Sequence, residues 1–322
     1  MRDETSIAPI TLRGSAEEVV PGVARVEILF VNAYLVGAPG GPWVLVDSGL
    51  PVLSAALIRR AAVKRYGDRA RPEAIFLTHG HFDHAGAALK LARGWDVPIY
   101  VHPLEMPYLT GRSDYPPRDS TMGGAIAQMA RLFPDAGYDF GDRVQPLPEG
   151  SDIPGLENWK PYHTPGHTPG HVSLFRETDG ALLAGDALAT MNLDSWTSQL
   201  TRERELHRPP APFTPDWETA RSSVETLAGL EPSVIAAGHG LPMTGPHVAE
   251  GLRSYARRFS PPRTGRYAAR PARADEEGVR ELPPPVPDPL PKRFAAGAAA
   301  VVGVAALTLA RRRKRRRKRR RG

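Results

Sequence analysis

Short apolar runs rich in β-branched residues recur along the chain: Ala24–Val31, Trp43–Val46, Ala74–Thr78, Pro98–Val101, Val172–Phe175 and Val234–Ala237. Runs of this length, bounded by Gly, Pro, Asp and Asn, predict strands. Between them, Leu53–Tyr66, Ala85–Arg93, Trp217–Leu227 and Pro246–Arg258 place apolar residues at helical spacing. Strands alternating with helices predict an α/β protein. The stretch "FTPDWETA" reads as a helix start, with Thr214 as N-cap and Pro215 at the first helical position.

The alternation stops near residue 258. From Ser260 to Arg293 the chain is rich in Pro, Arg and acidic residues. Such a stretch has little to bury and predicts an extended linker, at least after Tyr267. Phe294–Ala310 is uncharged but only weakly hydrophobic, being mostly Ala and Gly, and its 17 residues sit at the lower limit for a membrane span. The expected organisation is a globular domain over 1–258, a Pro/Arg-rich linker over 259–293, and a weakly apolar segment with a polybasic tail over 294–322.

Charge changes the picture only through that tail. The formal net charge is +7, but Arg311–Arg321 carries eleven positive charges, so the rest of the chain stands at −4. A mildly acidic body gives no hint of a nucleic-acid surface, so no nucleic-acid partner is expected for the domain itself. The tail could meet an anionic membrane surface, span a membrane or bind nucleic acid. The N-terminus lacks the apolar core of a secretory signal, so a cytoplasmic protein is expected, with the C-terminus as its one route to a membrane. There is no cysteine, which excludes disulfides, thiolate metal ligands and a cysteine nucleophile.

The candidate chemistry lies at the ends of predicted strands. "THGHFDHAG" puts His79, His81, Asp83 and His84 on a loop between the strand ending near Thr78 and a helix beginning near His84. Imidazole and carboxylate donors converging from one loop suit zinc or a similar divalent ion. A polar turn with incidental histidines is the plain alternative, and four potential ligands in six positions argue against it. "HTPGHTPGH", His163 to His171, is a turn forced by Gly and Pro that can aim an imidazole into a pocket. "LLAGDAL" ends an apolar strand at Asp186, and "IAAGHGLP" ends another at His239. "VLVDSGL" places Asp47 at a strand end, where a turn-forming aspartate is an equally good reading.

This order of motifs resembles the metallo-β-lactamase superfamily over about residues 20 to 258. The resemblance implies a four-layer αβ/βα sandwich with two metal ions, zinc or alternatively iron or manganese, at the edge of its two sheets. It implies that His79, His81 and His167 bind the first metal, that Asp83, His84 and His239 bind the second, and that Asp186 bridges them. Asp47 matches an aspartate that steadies ligand imidazoles. His163 and His171 fall outside the ligand set and are expected to be supporting or structural.

The implied reaction is hydrolysis of a small carbonyl ester, thioester or lactone by a metal-bridging hydroxide, with Asp83 or a metal-bound water relaying a proton to the leaving group. "HTPGHTPGHVSLF" is most similar to glyoxalase II-type thioesterases and acyl-homoserine lactone lactonases. Alternatives of the same fold are an iron-dependent sulfur dioxygenase and a nuclease. Only 52 residues separate Asp186 from His239, with no basic cluster, which disfavours the nuclease. Tyr108, Tyr115, Met122, Trp196, His207 and Phe213 lie in the segments expected to build the substrate pocket.

Overall fold

A computed structural model of the chain describes residues 15–147 and 152–287. In chain order its first half comprises β1 (Ala16–Val20), β2 (Val23–Ile28), β3 (Val31–Val36), β4 (Val44–Val46), α1 (Ser54–Tyr66), β5 (Ala74–Phe76), α2 (Phe82–Ala85), α3 (Ala88–Trp95), β6 (Ile99–Val101), α4 (Met106–Leu109), α5 (Gly124–Ala130) and β7 (Val144–Pro146). The second half comprises β8 (Lys160–His163), β9 (Val172–Arg176), β10 (Ala181–Gly185), α6 (Trp196–Thr201), α7 (Trp217–Gly229), β11 (Val234–Ala237), β12 (Met243–Thr244), α8 (Val248–Arg258), β13 (Arg273–Asp275) and β14 (Gly278–Glu281).

Two sheets form the middle of the domain, one seven-stranded in the order β1 to β7 and one five-stranded in the order β12-β11-β10-β9-β8. Successive side chains of a strand point to opposite faces, and here both faces are covered. Val44, Val46 and Phe76 pack inward with Val172, Leu174 and Leu183 of the other sheet. Their neighbours Leu45 and Ile75 point outward onto Ile58 of α1 and Leu91 of α3. On the second sheet, Leu182 and Ile235 face outward against Val224 of α7 and Leu252 of α8. The result is the expected four-layer αβ/βα sandwich. Strands buried on both sides explain why the sequence shows continuous apolar runs rather than alternation.

The β4–β5 and β10–β11 pairs are parallel, so residues following them emerge together at the carboxyl ends of the strands. Open α/β sheets place their sites at such ends. Backbone bonds join the sheets at this edge: Val172 N donates to Thr78 O, and Asn32 N donates to Gly238 O.

The structure departs from the sequence expectations at three places. The run Ala24–Val31 is not a single strand: it is most of β2, a turn at Leu29 and Phe30, and the first residue of β3. Leu29 adopts a left-handed conformation (φ 59°) with no Gly or Asn to announce it. The helix α7 starts two residues later than expected, with Asp216 as its cap, accepting from Thr219 N. Thr214 is buried and serves the site described below instead.

Third, the compact unit reaches Pro284, past the expected boundary at 258. Phe259 and Tyr267 are buried in the second outer core, and the Tyr267 hydroxyl donates to Pro117 O at 2.6 Å. The hairpin β13–β14 is tied down by Val279 N donating to Ser113 Oγ. A few apolar anchors and backbone hydrogen bonds suffice to fold a segment whose composition reads as linker. Among the described residues no helix is long and apolar enough to cross a membrane. Phe294–Ala310 and Arg311–Arg321, with everything expected of them, lie outside the described residues.

A chain ending after Pro284 should melt with the full-length protein. Tyr267→Ala should destabilise by about 3 kcal/mol, as for other large buried aromatics. Urea unfolding of both variants checks this, and a neutral Tyr267→Ala would return the segment to linker.

Candidate metal centre

The turn after β5 is short because α2 begins at Phe82, and it throws His79, His81, Asp83 and His84 to one side. His167 comes from the Gly/Pro turn between β8 and β9, Asp186 from the end of β10, and His239 from the end of β11. All seven are brought together. Donor atoms of His79, His81 and His167 lie within 4.8 Å of one another, as do those of His79, His84 and Asp186, and those of Asp83, His84 and His239. Two glycines make the approach possible. A Cβ on Gly238 would stand 2.1 Å from Asp186 Oδ1 and 2.6 Å from the His84 ring. One on Gly185, itself left-handed (φ 53°), would meet His171 Nε2 at 2.5 Å.

Nearly every imidazole is held by its outer nitrogen so that the inner one faces the centre. His84 Nδ1 bonds Asp47 Oδ2 at 2.8 Å, His239 Nδ1 bonds Phe30 O at 2.7 Å, His167 Nδ1 bonds Thr214 Oγ1 at 3.1 Å and His79 Nδ1 bonds Thr78 Oγ1 at 3.1 Å. His81 is the exception. It is only half-buried and is placed by ring packing against Tyr115 and Phe213. Asp47, left-handed at φ 59°, also accepts from Thr78 N and Thr78 Oγ1, so it holds His84 directly and His79 through Thr78.

Inward, His79 Nε2, His84 Nε2 and Asp186 Oδ1 are buried with no hydrogen-bond partner. Orphaned buried donors and acceptors are costly, and three facing one another fit a cation. The void bounded by His81, Asp83, His167, Asp186 and His239 is about 20 Å3, the size of an ion or a water molecule.

Electrostatics divide the centre in two. Burial and neighbouring imidazoles hold His79 and His167 well below the ordinary histidine value, and burial, with His84 beside it, lowers His81 to about 3. His84 and His239 go the other way. Burial opposes their charge, but the Asp186 carboxylate overcomes it and raises both. Asp186 is itself driven well below its ordinary value: burial would raise it, and His239 and His84 prevail. Asp83 is raised, chiefly by burial.

His171 and His163 stand outside the three donor groups. His171 Nε2 accepts from Asp186 N at 2.8 Å, and its Nδ1 bonds Thr164 Oγ1, so it supports the Asp186 backbone. His163 is exposed and stacks on His102 with ring centroids 4.1 Å apart.

Of the proposed pocket residues, only Phe213 lines the void. Tyr108 and Tyr115 are buried in a stacked pair, Met122 packs on the second outer core, Trp196 is exposed and His207 pairs with Asp194. Four residues escaped the sequence reading. Phe30, Ile126 and Phe133 cap the void with Phe213. The fourth, buried Glu105, accepts from Gly80 N and Gly170 N, both at 2.9 Å, and from the Tyr115 hydroxyl, clamping the two histidine loops together. A lone acid in "HPLEM" carries no signal of this.

Asp47→Asn should lower metal affinity about 10- to 100-fold, read by competition with a chromophoric chelator. His171→Ala should keep the metal content and lose about 1–3 kcal/mol of stability, because the Asp186 amide loses its acceptor. Loss of a metal in His171→Ala would exchange its role with that of His167. Because His84 and His239 retain protons above their ordinary range in the metal-free site, metal uptake should release protons and weaken as pH falls from 8 to 6. Titration calorimetry in buffers of different ionisation enthalpy measures the release.

The model of the metallo-beta-lactamase superfamily matches residues 26–239. The chain is 45% identical over 250 residues to the probable metallo-hydrolase YflN of Bacillus subtilis (strain 168), covering 77% of this chain and 94% of that one. To the probable metallo-hydrolase YybB of the same organism it is 31% identical over 198 residues, covering 61% and 74%. Among solved structures, the metallo-beta-lactamase family protein TTHA1429 from Thermus thermophilus superposes with a TM-score of 0.51 at 22% identity, over 74% of this chain and 78% of that one. A beta-lactamase domain protein from Burkholderia ambifaria gives 0.52 at 22%, over 76% and 75%. At these identities the structural likeness speaks for the fold, and the match of sequence and motifs for kinship: the chain belongs to the metallo-beta-lactamase superfamily.

Proposed function

We propose that the chain is a dinuclear metal-dependent hydrolase that cleaves a small carbonyl ester, thioester or lactone. One observation carries this reading. Asp186 Oδ2 lies 3.4 Å from His84 Nε2, 3.5 Å from His167 Nε2 and 3.2 Å from His239 Nε2, so one carboxylate oxygen stands between two groups of ligands. The names of the B. subtilis relatives, probable metallo-hydrolases, support it.

His79, His81 and His167 would hold one cation, Asp83, His84 and His239 the other, with Asp186 shared. Mixed imidazole and carboxylate donors suit zinc, and iron or manganese take the same set. Cations bound there supply Lewis acidity at the scissile carbonyl and make water a nucleophile near neutral pH.

The rest is the work of the chain itself. Asp47, Thr78, Thr214 and the Phe30 carbonyl fix the imidazoles before substrate arrives, so little reorganisation is needed during reaction. Asp83, 3.5 Å from His239 through Oδ2, would relay a proton to the departing alcohol or thiol. Phe30, Ile126, Phe133 and Phe213 keep bulk water from the void. Among the described residues no Lys or Arg lines that void, so nothing described there answers the charge of a phosphodiester strand.

Protein purified without chelator and supplied with zinc should carry two metal equivalents per chain and turn over members of a thioester and lactone panel. Less than about half an equivalent of any transition metal would overturn the centre. Oxygen uptake with iron and a persulfide, without hydrolysis, would replace the reaction by dioxygenation. Asp186→Ala should lose at least one metal and drop hydrolysis to the uncatalysed rate.

A further inference from the structure

A second cavity adjoins the metal centre. It measures about 280 Å3, against about 20 Å3 over the imidazoles. The space directly over the imidazoles is small, so most of an organic substrate would extend beyond it. Phe30 lines both cavities. Its ring stacks on His239 with centroids 6.2 Å apart, and Gly240, the residue after His239, continues the wall of the larger cleft. The cleft therefore begins where the centre ends.

Its chemistry is mostly apolar. Leu29, Phe30, Met129, Met191 and Leu241 form the wall, and unbranched methionines adapt to occupants of varying shape. Arg25 and Arg202 also reach it and would by themselves call for an anion. Both are already matched: Arg25 lies 2.7 Å from Glu17 and 3.7 Å from Glu27, and Arg202 pairs with Glu27. The Asn32 amide donates to the carbonyls of Ala237 and Gly240. With these groups engaged inside the protein, burial of apolar surface is the main attraction left to a ligand. Helix α6 contributes Gln199, whose side-chain amide donates to Leu193 O at 3.0 Å.

We propose that this cleft receives the apolar acyl chain of the substrate, so that medium-chain acyl esters or thioesters are preferred over acetyl ones. The proposal rests on the hydrolase reading and names its substrate class.

The zinc-loaded protein is assayed on a series of straight-chain acyl thioesters from acetyl to decanoyl. The kcat/KM should climb at least tenfold between acetyl and octanoyl, mainly through KM. Met129→Trp, which fills the cleft, should cut the octanoyl-to-acetyl ratio at least tenfold. Met191→Ala, which widens it, should move the optimum to longer chains. Metal content and melting temperature of each variant report folding. A flat or falling chain-length profile, or variants that leave the ratio unaltered, overturns the proposal.

Binding of decanoate by calorimetry is the arm that does not depend on turnover. If no carbonyl substrate is hydrolysed, yet decanoate binds the wild type and not Met129→Trp, the hydrolase reading fails and the apolar cleft stands. If decanoate binds neither, the cleft assignment falls.

Discussion

The centre depends on the burial of one carboxylate. Asp186 is 2% exposed, sits at the end of a strand buried on both faces, and has one oxygen with no hydrogen-bond partner. A charge so placed survives only beside opposite charge, and His84 and His239, both raised beside it, supply that charge. Neutral His167 also approaches Oδ2, and His171 accepts from the backbone amide. Gly185 and Gly238 leave room for this crowding, and Asp47 anchors His84 from behind. Remove the carboxylate and the remaining imidazoles face one another with nothing to gather around.

The sandwich architecture follows from that placement. Here a carboxylate and six other donors meet because strand ends from two sheets arrive at one edge. The parallel pairs β4–β5 and β10–β11 bring them there. The Val172–Thr78 and Asn32–Gly238 backbone bonds then lock the two edges in register. Among the helices of the described residues only four-residue α2 carries candidate ligands, Asp83 and His84.

What the sequence disclosed was the part written in local pattern. Buried strands are short apolar runs, and the ligands follow them directly, so fold and candidate ligands were both legible. Features set by tertiary contact were not. The Leu29–Phe30 turn hides in a continuous apolar run because its left-handed residue is a leucine, held by Arg202 donating to Leu29 O at 2.7 Å. Thr214 has the chemistry of a helix cap, but burial beside His167 gives it another partner, and Asp216 takes the cap. Tyr267 stands in a segment whose composition speaks for a linker, and a single hydroxyl bond with an apolar seat outweighs the average. Glu105 gathers two backbone amides from loops 90 residues apart in sequence, a relation that no window along the chain contains.

Phe30 joins two tasks in one residue. Its carbonyl fixes a metal-facing imidazole, and its ring divides the ion-sized void from the larger cleft. The tip of the β2–β3 hairpin thus mechanically connects whatever occupies the cleft with the aim of His239. A ligand that shifts this tip changes how well His239 can serve a cation, and thermodynamic linkage requires the converse, by the same factor. Any cleft ligand that moved this tip would therefore be linked to a cation at His239 through a single backbone carbonyl.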